Sequence, residues 1–240
     1  MERADKRELR EARWQTLREA GAARFPGARG RIPNFTGAEQ AARRLACEHF
    51  WGRARVLKAN PDMPQRTVRH LALQAGKRVY LAVPRLAAER PFLLLDPERL
   101  GPKMLWRASS IQGADELGRP VALDEMDPID LVVCGSVAVA PDGSRLGKGG
   151  GYSDLEYGLL REAGHVTART PIVTTVHPTQ VVAAGLLPME PHDVSLDGYA
   201  TPDGFTRCER AFRRPRGILW QALDEEKRAA IPVLASRTPP

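Results

Sequence analysis

The chain predicts an α/β fold, an open, mostly parallel sheet with helices on both faces, and three observations carry that expectation. Short apolar runs at Phe92–Leu95 and at residues 130–134, 137–140 and 171–176 have the length and composition of buried strands. Segments with helix-compatible composition lie between strands, and that alternation favours parallel pairing through crossover helices. Glycine and proline punctuate the boundaries, at Gly21, Gly76 and Pro84. Together these describe a three-layer, Rossmann-like arrangement, in which ligands gather at the carboxyl ends of the strands.

Taken in order, residues 6–20 read as a helix with Asp5 as its N-cap and Gly21 as the residue that stops it. A Pro/Gly/Arg loop follows at 26–34. Residues 37–51 read as a second helix, 54–58 as a short strand, 64–75 as a helix stopped at Gly76, and 78–83 as a strand ended by Pro84. The strand at 137–140 leads into a glycine-rich loop and a helix from Tyr152 onward. Beyond about residue 201 the chain is Arg/Pro-rich and the pattern is lost. Residues 1–200 are therefore expected as one α/β domain, and 201–240 as an appended, partly flexible extension.

With 240 residues, 42% of them hydrophobic, the chain can bury a full core. No apolar run approaches the roughly 18 residues needed to span a bilayer. The opening Met1-Glu2-Arg3-Ala4-Asp5-Lys6 has no apolar secretory core and carries acids that a transit peptide avoids, so a cytoplasmic location is expected. Cys47, Cys134 and Cys208 are far apart and odd in number, which supports neither a disulfide framework nor a zinc cluster. The net charge of +7 is spread along the chain, and only six of the 36 basic residues are lysine. A nucleic-acid partner is therefore not expected; arginine dominance also suits a protein that binds small polyanions.

The most informative stretch is Arg145-Leu146-Gly147-Lys148-Gly149-Gly150-Gly151-Tyr152-Ser153-Asp154, which places four glycines, two cations and a carboxylate in ten residues. Glycine lets successive backbone N–H groups converge on one anion without Cβ clashes. Arg145 and Lys148 add positive charge, and the helix that follows would aim its N-terminus at the same anion. A hairpin tip is the plain alternative, because Pro141-Asp142-Gly143 just upstream is a turn signal. The spacing fits neither the phosphate-loop NTPase pattern nor a dinucleotide fingerprint.

Read with Asp130-Leu131-Val132-Val133-Cys134-Gly135-Ser136-Val137-Ala138 before it and Pro191-His192-Asp193-Val194 after it, this loop resembles that of the 5-formyltetrahydrofolate cyclo-ligase (methenyltetrahydrofolate synthetase) family. The family's form is Arg-Leu-Gly-x-Gly-x-Gly-Tyr-Tyr-Asp. The resemblance implies an ATP- and Mg2+-dependent enzyme acting on a reduced folate. ATP phosphorylates the formyl oxygen on nitrogen 5, and nitrogen 10 then attacks the activated carbon to give 5,10-methenyltetrahydrofolate, ADP and phosphate.

By the same resemblance, Lys6 and Arg10, four apart on one helical face, form an ATP-phosphate clamp with Arg145, Gly147, Lys148, Gly149, Gly150, Gly151 and Tyr152. An ordinary solvated face is the alternative for the Lys6/Arg10 pair. Arg145, Lys148 and Tyr152 would stand nearest the reacting groups. Asp154 and Asp193 are the implied magnesium carboxylates, a donor set suited to a hard cation that also takes phosphate oxygens. Asp193 could equally cap local backbone, and His192 either orients it or serves structure alone. The implied substrate contacts are Asp62, Tyr152 and Ser153.

Two departures bear on the substrate. The family's second tyrosine is Ser153 here, which removes a ring able to cover a pterin. The family's Glu-x-x-Thr segment is replaced by Asp62-Met63-Pro64-Gln65, a shorter acid and no hydroxyl. Together with Arg31-Ile32-Pro33-Asn34-Phe35 and Ala82-Val83-Pro84-Arg85-Leu86, these resemble a divergent paralogue group associated with thiamine metabolism. Three readings stay open at this point: the cyclo-ligase itself, a paralogue that activates another amide or carboxyl oxygen, and a nucleotide- or folate-binding regulator without turnover. Oligomeric state is not legible.

Overall fold

The computed structural model describes residues 5–237. Eight strands form the central sheet in the order Phe205–Arg207, Gly198–Ala200, Ile172–Thr175, Leu131–Val133, Val56–Ala59, Arg78–Ala82, Phe92–Leu95 and Arg119–Val121. The five from Gly198–Ala200 to Arg78–Ala82 are parallel, and the outer strands at both edges are antiparallel. Alternate residues serve opposite faces, as the pleat requires. Leu57, Val79, Leu131 and Val133 pack with Leu45, Val68, Ala72 and Leu73 of the helices Ala38–Ala46 and Arg66–Gln74. Tyr80, Val132 and Ile172 pack on the other face with Tyr157, Leu159 and Leu160 of the helix Tyr152–Glu162.

Strand order reverses between Val56–Ala59 and Leu131–Val133. From the first strand the chain crosses through Arg66–Gln74 to Arg78–Ala82; from the second it crosses through Tyr152–Glu162 on the opposite face to Ile172–Thr175. A crevice opens at such a switch point, above the carboxyl ends of the two strands.

The first helix runs Lys6–Glu19, capped by the Asp5 side chain accepting from Arg7 N. It ends at Gly21, whose φ of 62° is the left-handed conformation that lets Ala22 N bond back to Leu17 O at 3.1 Å. The expected helix at 37–51 divides into Ala38–Ala46 and His49–Arg53, because Glu48 leaves the helical region with ψ 144° and turns Trp51 into the core.

The apolar run at 137–140 is not a strand of the central sheet. Ala138–Val139 pairs antiparallel with Arg145–Leu146 in a separate hairpin, and Pro141-Asp142-Gly143 is its tip, held by Ser144 N donating to Asp142 Oδ1 at 2.9 Å. Apolarity reported burial there, not sheet membership. The turn signal and the glycine loop are both present, one after the other.

The boundary expected near residue 200 falls inside a β-hairpin, since Gly198–Ala200 pairs with Phe205–Arg207. Ile218, Ile231 and Leu234 join the core that holds Tyr157 and Leu160, and Arg214 donates to Asp197 Oδ2 at 2.6 Å. Among the described residues, no helix is long and apolar enough to cross a membrane.

Candidate functional site

The crevice at the switch point is a cleft of about 890 Å³. Asn60, Pro61 and Asp62 enter it from the end of Val56–Ala59, Gly135 from the end of Leu131–Val133, and Lys6 and Arg10 from the first helix. Gly135 is required by closeness: a Cβ there would lie 2.7 Å from Asp62 Oδ2 and 2.8 Å from Ile32 Cγ1.

The loop Gly147–Gly151 forms one wall. Gly149 (φ 106°) and Gly151 (φ 67°) occupy conformations that side chains resist, and Gly151 is the N-cap of the helix Tyr152–Glu162 without a side-chain cap bond. Arg10 Nε donates to Gly147 O at 2.7 Å, and Lys227 Nζ donates to Gly150 O at 2.6 Å. The loop is thus clasped between the first helix and the C-terminal segment. Lys227 also lies 4.7 Å from the centre of the Tyr152 ring.

The cations expected from the sequence converge on this cleft but differ in availability. Arg145 is 4% exposed and fully engaged, donating to Asp154 Oδ1 at 2.5 Å, Gly135 O at 3.0 Å and Val194 O at 3.4 Å. Burial alone would weaken its hold on the proton, but the charge and hydrogen bond of Asp154, added to the nearby Cys134 and Asp193, together outweigh that and push its pKa up. In this structure the Arg145 guanidinium braces the hairpin, the end of a central strand and the metal-candidate carboxylate. Lys148 is half-exposed and its Nζ donates to Asp62 Oδ1 at 3.1 Å. Lys6 Nζ meets Glu190 Oε2 at 2.7 Å and Asp193 Oδ2 at 2.5 Å. The Lys6 hydrogen bond holds the Glu190 carboxyl below its usual range.

Asp154 and Asp193 are brought to the same end of the cleft, since Val194 N, one residue past Asp193, donates to Asp154 Oδ1 at 3.0 Å. Glu190, His192 and Asp193 offer ligand atoms within 4.8 Å of one another. The carboxylate oxygens of Glu190 and Asp193 suit magnesium, and Asp154 Oδ2 has no hydrogen bond among the described residues. The donor chemistry therefore fits a hard divalent cation, with Lys6 supplying the positive charge at Glu190 and Asp193 in this structure.

Beneath the loop lies a buried polar floor. Lys58 and Glu156 form an ion pair, both under 10% exposed, and Lys58 Nζ also donates to Asn60 Oδ1 at 2.8 Å. Asn60 Nδ2 donates to Ser153 Oγ at 3.3 Å. Arg69, wholly buried, donates to the carbonyls of Asn60 at 2.5 Å and Asp62 at 3.1 Å and so fixes the strand-end turn. Burial pushes the Arg69 pKa down to about 9, which leaves it protonated at neutral pH. Sequence reasoning did not find Lys58, Asn60, Arg69, Glu156 or Lys227. The available signals were a lysine inside the strand Val56–Ala59 and a glutamate between the apolar residues Leu155 and Tyr157.

A sequence profile of the 5-formyltetrahydrofolate cyclo-ligase family matches residues 2–202. The chain is 38% identical over 234 residues to a methenyltetrahydrofolate synthase domain-containing protein of Mus musculus, covering 97% of this chain and 63% of that protein. The Homo sapiens protein of the same name is 36% identical over 234 residues, covering 96% and 61%. The chain thus spans about three-fifths of the length of these relatives. The structure of a 5,10-methenyltetrahydrofolate synthetase from Aquifex aeolicus shares the fold, with a TM-score of 0.53 at 20% identity over 87% of this chain and 94% of that one. The glycine loop, the cleft at the switch point and the profile match agree: this chain belongs to the 5-formyltetrahydrofolate cyclo-ligase family.

Proposed function

We propose that the chain uses ATP, with Mg2+, to activate a carbonyl oxygen of a small substrate, and that 5-formyltetrahydrofolate is that substrate. The observation that carries this reading is the Lys148–Asp62 contact at 3.1 Å. It joins the glycine loop, read here as the polyanion side, to Asp62, which the sequence resemblance sets at the position of the family's folate-contacting glutamate. The chemistry needs no covalent nucleophile from the protein. The formyl oxygen attacks the γ-phosphorus and ADP leaves; nitrogen 10 then attacks the formyl carbon, and the C–O bond to phosphate breaks. The protein must hold the reactants in line and neutralise charge on the phosphoryl oxygens.

In this reading the loop N–H groups and Lys148 hold phosphate oxygens, with Lys6 and Arg10 closing the clamp from the first helix. Arg145 fixes Asp154, and Tyr152 flanks the substrate. Magnesium at Asp154, Asp193 and Glu190 would supply charge neutralisation beside the phosphates. The test is calorimetric titration of MgATP, followed by ADP release with and without 5-formyltetrahydrofolate. ADP release that depends on the folate supports the reading; bound ATP with no folate-dependent release overturns it.

A second reading has its own observation. Ser153 is tied to Asn60, and through Lys58 to Glu156, a polar floor where the family's motif supplies a second aromatic ring. That favours a paralogue that activates a more polar amide or carboxyl substrate by the same ATP chemistry.

A further inference from the structure

The family profile ends at residue 202, yet the glycine loop is also touched by a residue well beyond it. Lys227 lies on the short helix Glu225–Ala229, whose N-cap Asp224 accepts from Lys227 N. Its ammonium group reaches Gly150 O at 2.6 Å and would lie 3.1 Å from a Cβ at Gly151. The segment that carries it is anchored: Ile218 N donates to Glu162 Oε1 at 2.8 Å, and Ile231 and Leu234 are buried in the core.

The charge balance around the loop sets Lys227 apart. Lys6 is paired with Glu190 and Asp193, Arg145 with Asp154, and Lys148 with Asp62. Among the described residues, Arg10 and Lys227 have no carboxylate within ion-pair distance; Arg10 donates from Nε to Gly147 O, and Lys227 from Nζ to Gly150 O. Desolvation lowers the pKa of both. A partly desolvated cation held against neutral carbonyls gains most from an arriving anion.

We infer that Lys227 is a phosphate-binding residue of the glycine-loop site, contributed by the C-terminal segment, and that it completes with Arg10 a clasp on a polyphosphate bound along Gly147–Gly151. This rests on the polyanion reading of the loop. The segment 217–237 is then part of the site and not an appendage to it.

The test uses the full chain and two variants. Lys227→Gln keeps a donor for Gly150 O but no charge; Lys227→Arg keeps both. MgATP and inorganic tripolyphosphate are titrated by calorimetry, with the ligand-free unfolding midpoint of each variant measured as a fold control. Affinity for both ligands should fall about tenfold in Lys227→Gln, stay near the unsubstituted value in Lys227→Arg, and lose part of its salt dependence only in the glutamine variant. Unchanged binding in Lys227→Gln, or equal loss in both variants, overturns the inference. Binding of tripolyphosphate but not ATP by the unsubstituted chain leaves the Lys227 inference standing and removes the nucleotide reading, whereas binding of neither removes both.

Discussion

Lys148 and Asp62, 86 positions apart, meet at 3.1 Å across the mouth of the cleft. An ion pair with one half-exposed partner contributes about 0–1 kcal/mol, so an arriving polyphosphate can displace Asp62 at small cost. Lys148→Ala should weaken MgATP binding by about 1–3 kcal/mol, the range for losing a charge-assisted hydrogen bond. Asp62→Asn should leave MgATP affinity equal or slightly tighter while weakening folate binding. Calorimetry with both ligands on both variants checks this, and a loss of ATP affinity in Asp62→Asn would contradict it.

Arg145 makes the opposite prediction. Its charge is buried against Asp154, so Arg145→Met leaves a carboxylate without its partner, at a cost of about 3–5 kcal/mol. Denaturant unfolding should show a lower midpoint with an unchanged slope. Near-normal stability with ATP binding alone abolished would mean that Arg145 serves phosphate directly.

The Lys58–Glu156 pair tests whether the floor of the cleft serves shape or stability. Lys58→Met and Glu156→Leu alone should each destabilise by about 3–5 kcal/mol, because each strands the other charge. The double variant should recover most of that loss, the coupling expected of residues in direct contact. Substrate binding in the double variant should stay impaired, since Asn60 and Ser153 lose the group that orients them.

How far the sequence announced this arrangement differs by element. The loop 145–154, the cap at Asp5, the stops at Gly21 and Gly76 and four of the five parallel strands were legible because turn chemistry and apolar runs are local signals. The strands at Arg119–Val121, Gly198–Ala200 and Phe205–Arg207 were not: the first contains Pro120, all three are short, and they owe their conformation to pairing at or next to the sheet edges. The packed segment after residue 207 was hidden because its buried residues, Ile218, Ile231 and Leu234, are isolated among charges. In the site, residue types were readable but their engagement was not. The sequence offered Arg145 and Lys148 as equivalent cations, and only folding shows one buried and braced and the other half-exposed.

In the proposed reading, Ser153 and Asp62 face the substrate. Ser153→Tyr combined with Asp62→Glu should strengthen folate binding, the ring alone contributing about 0.5–1.5 kcal/mol beyond burial. The gain should be smaller in Ser153→Tyr alone, because the ring must displace the Asn60 contact. No change in folate affinity for the double variant would mean that the pocket recognises a different substrate.

Magnesium dependence separates the carboxylates. Asp193→Asn should reduce the Mg2+ enhancement of ATP binding by about tenfold with little loss of stability, since its partner Lys6 retains Glu190. Asp154→Asn should lower both, because Asp154 also neutralises Arg145. Equal stability in the two variants, measured by thermal unfolding, would contradict the double role of Asp154.

The central claim, ATP-driven ring closure of 5-formyltetrahydrofolate in this cleft, is tested most directly by stoichiometry. Purified protein with ATP, Mg2+ and 5-formyltetrahydrofolate should form the methenyl product, followed by its absorbance, with one ADP released per product and no product without ATP. Tight ATP binding with no methenyl product would contradict the claim and leave a paralogue that directs the same nucleotide site at another substrate.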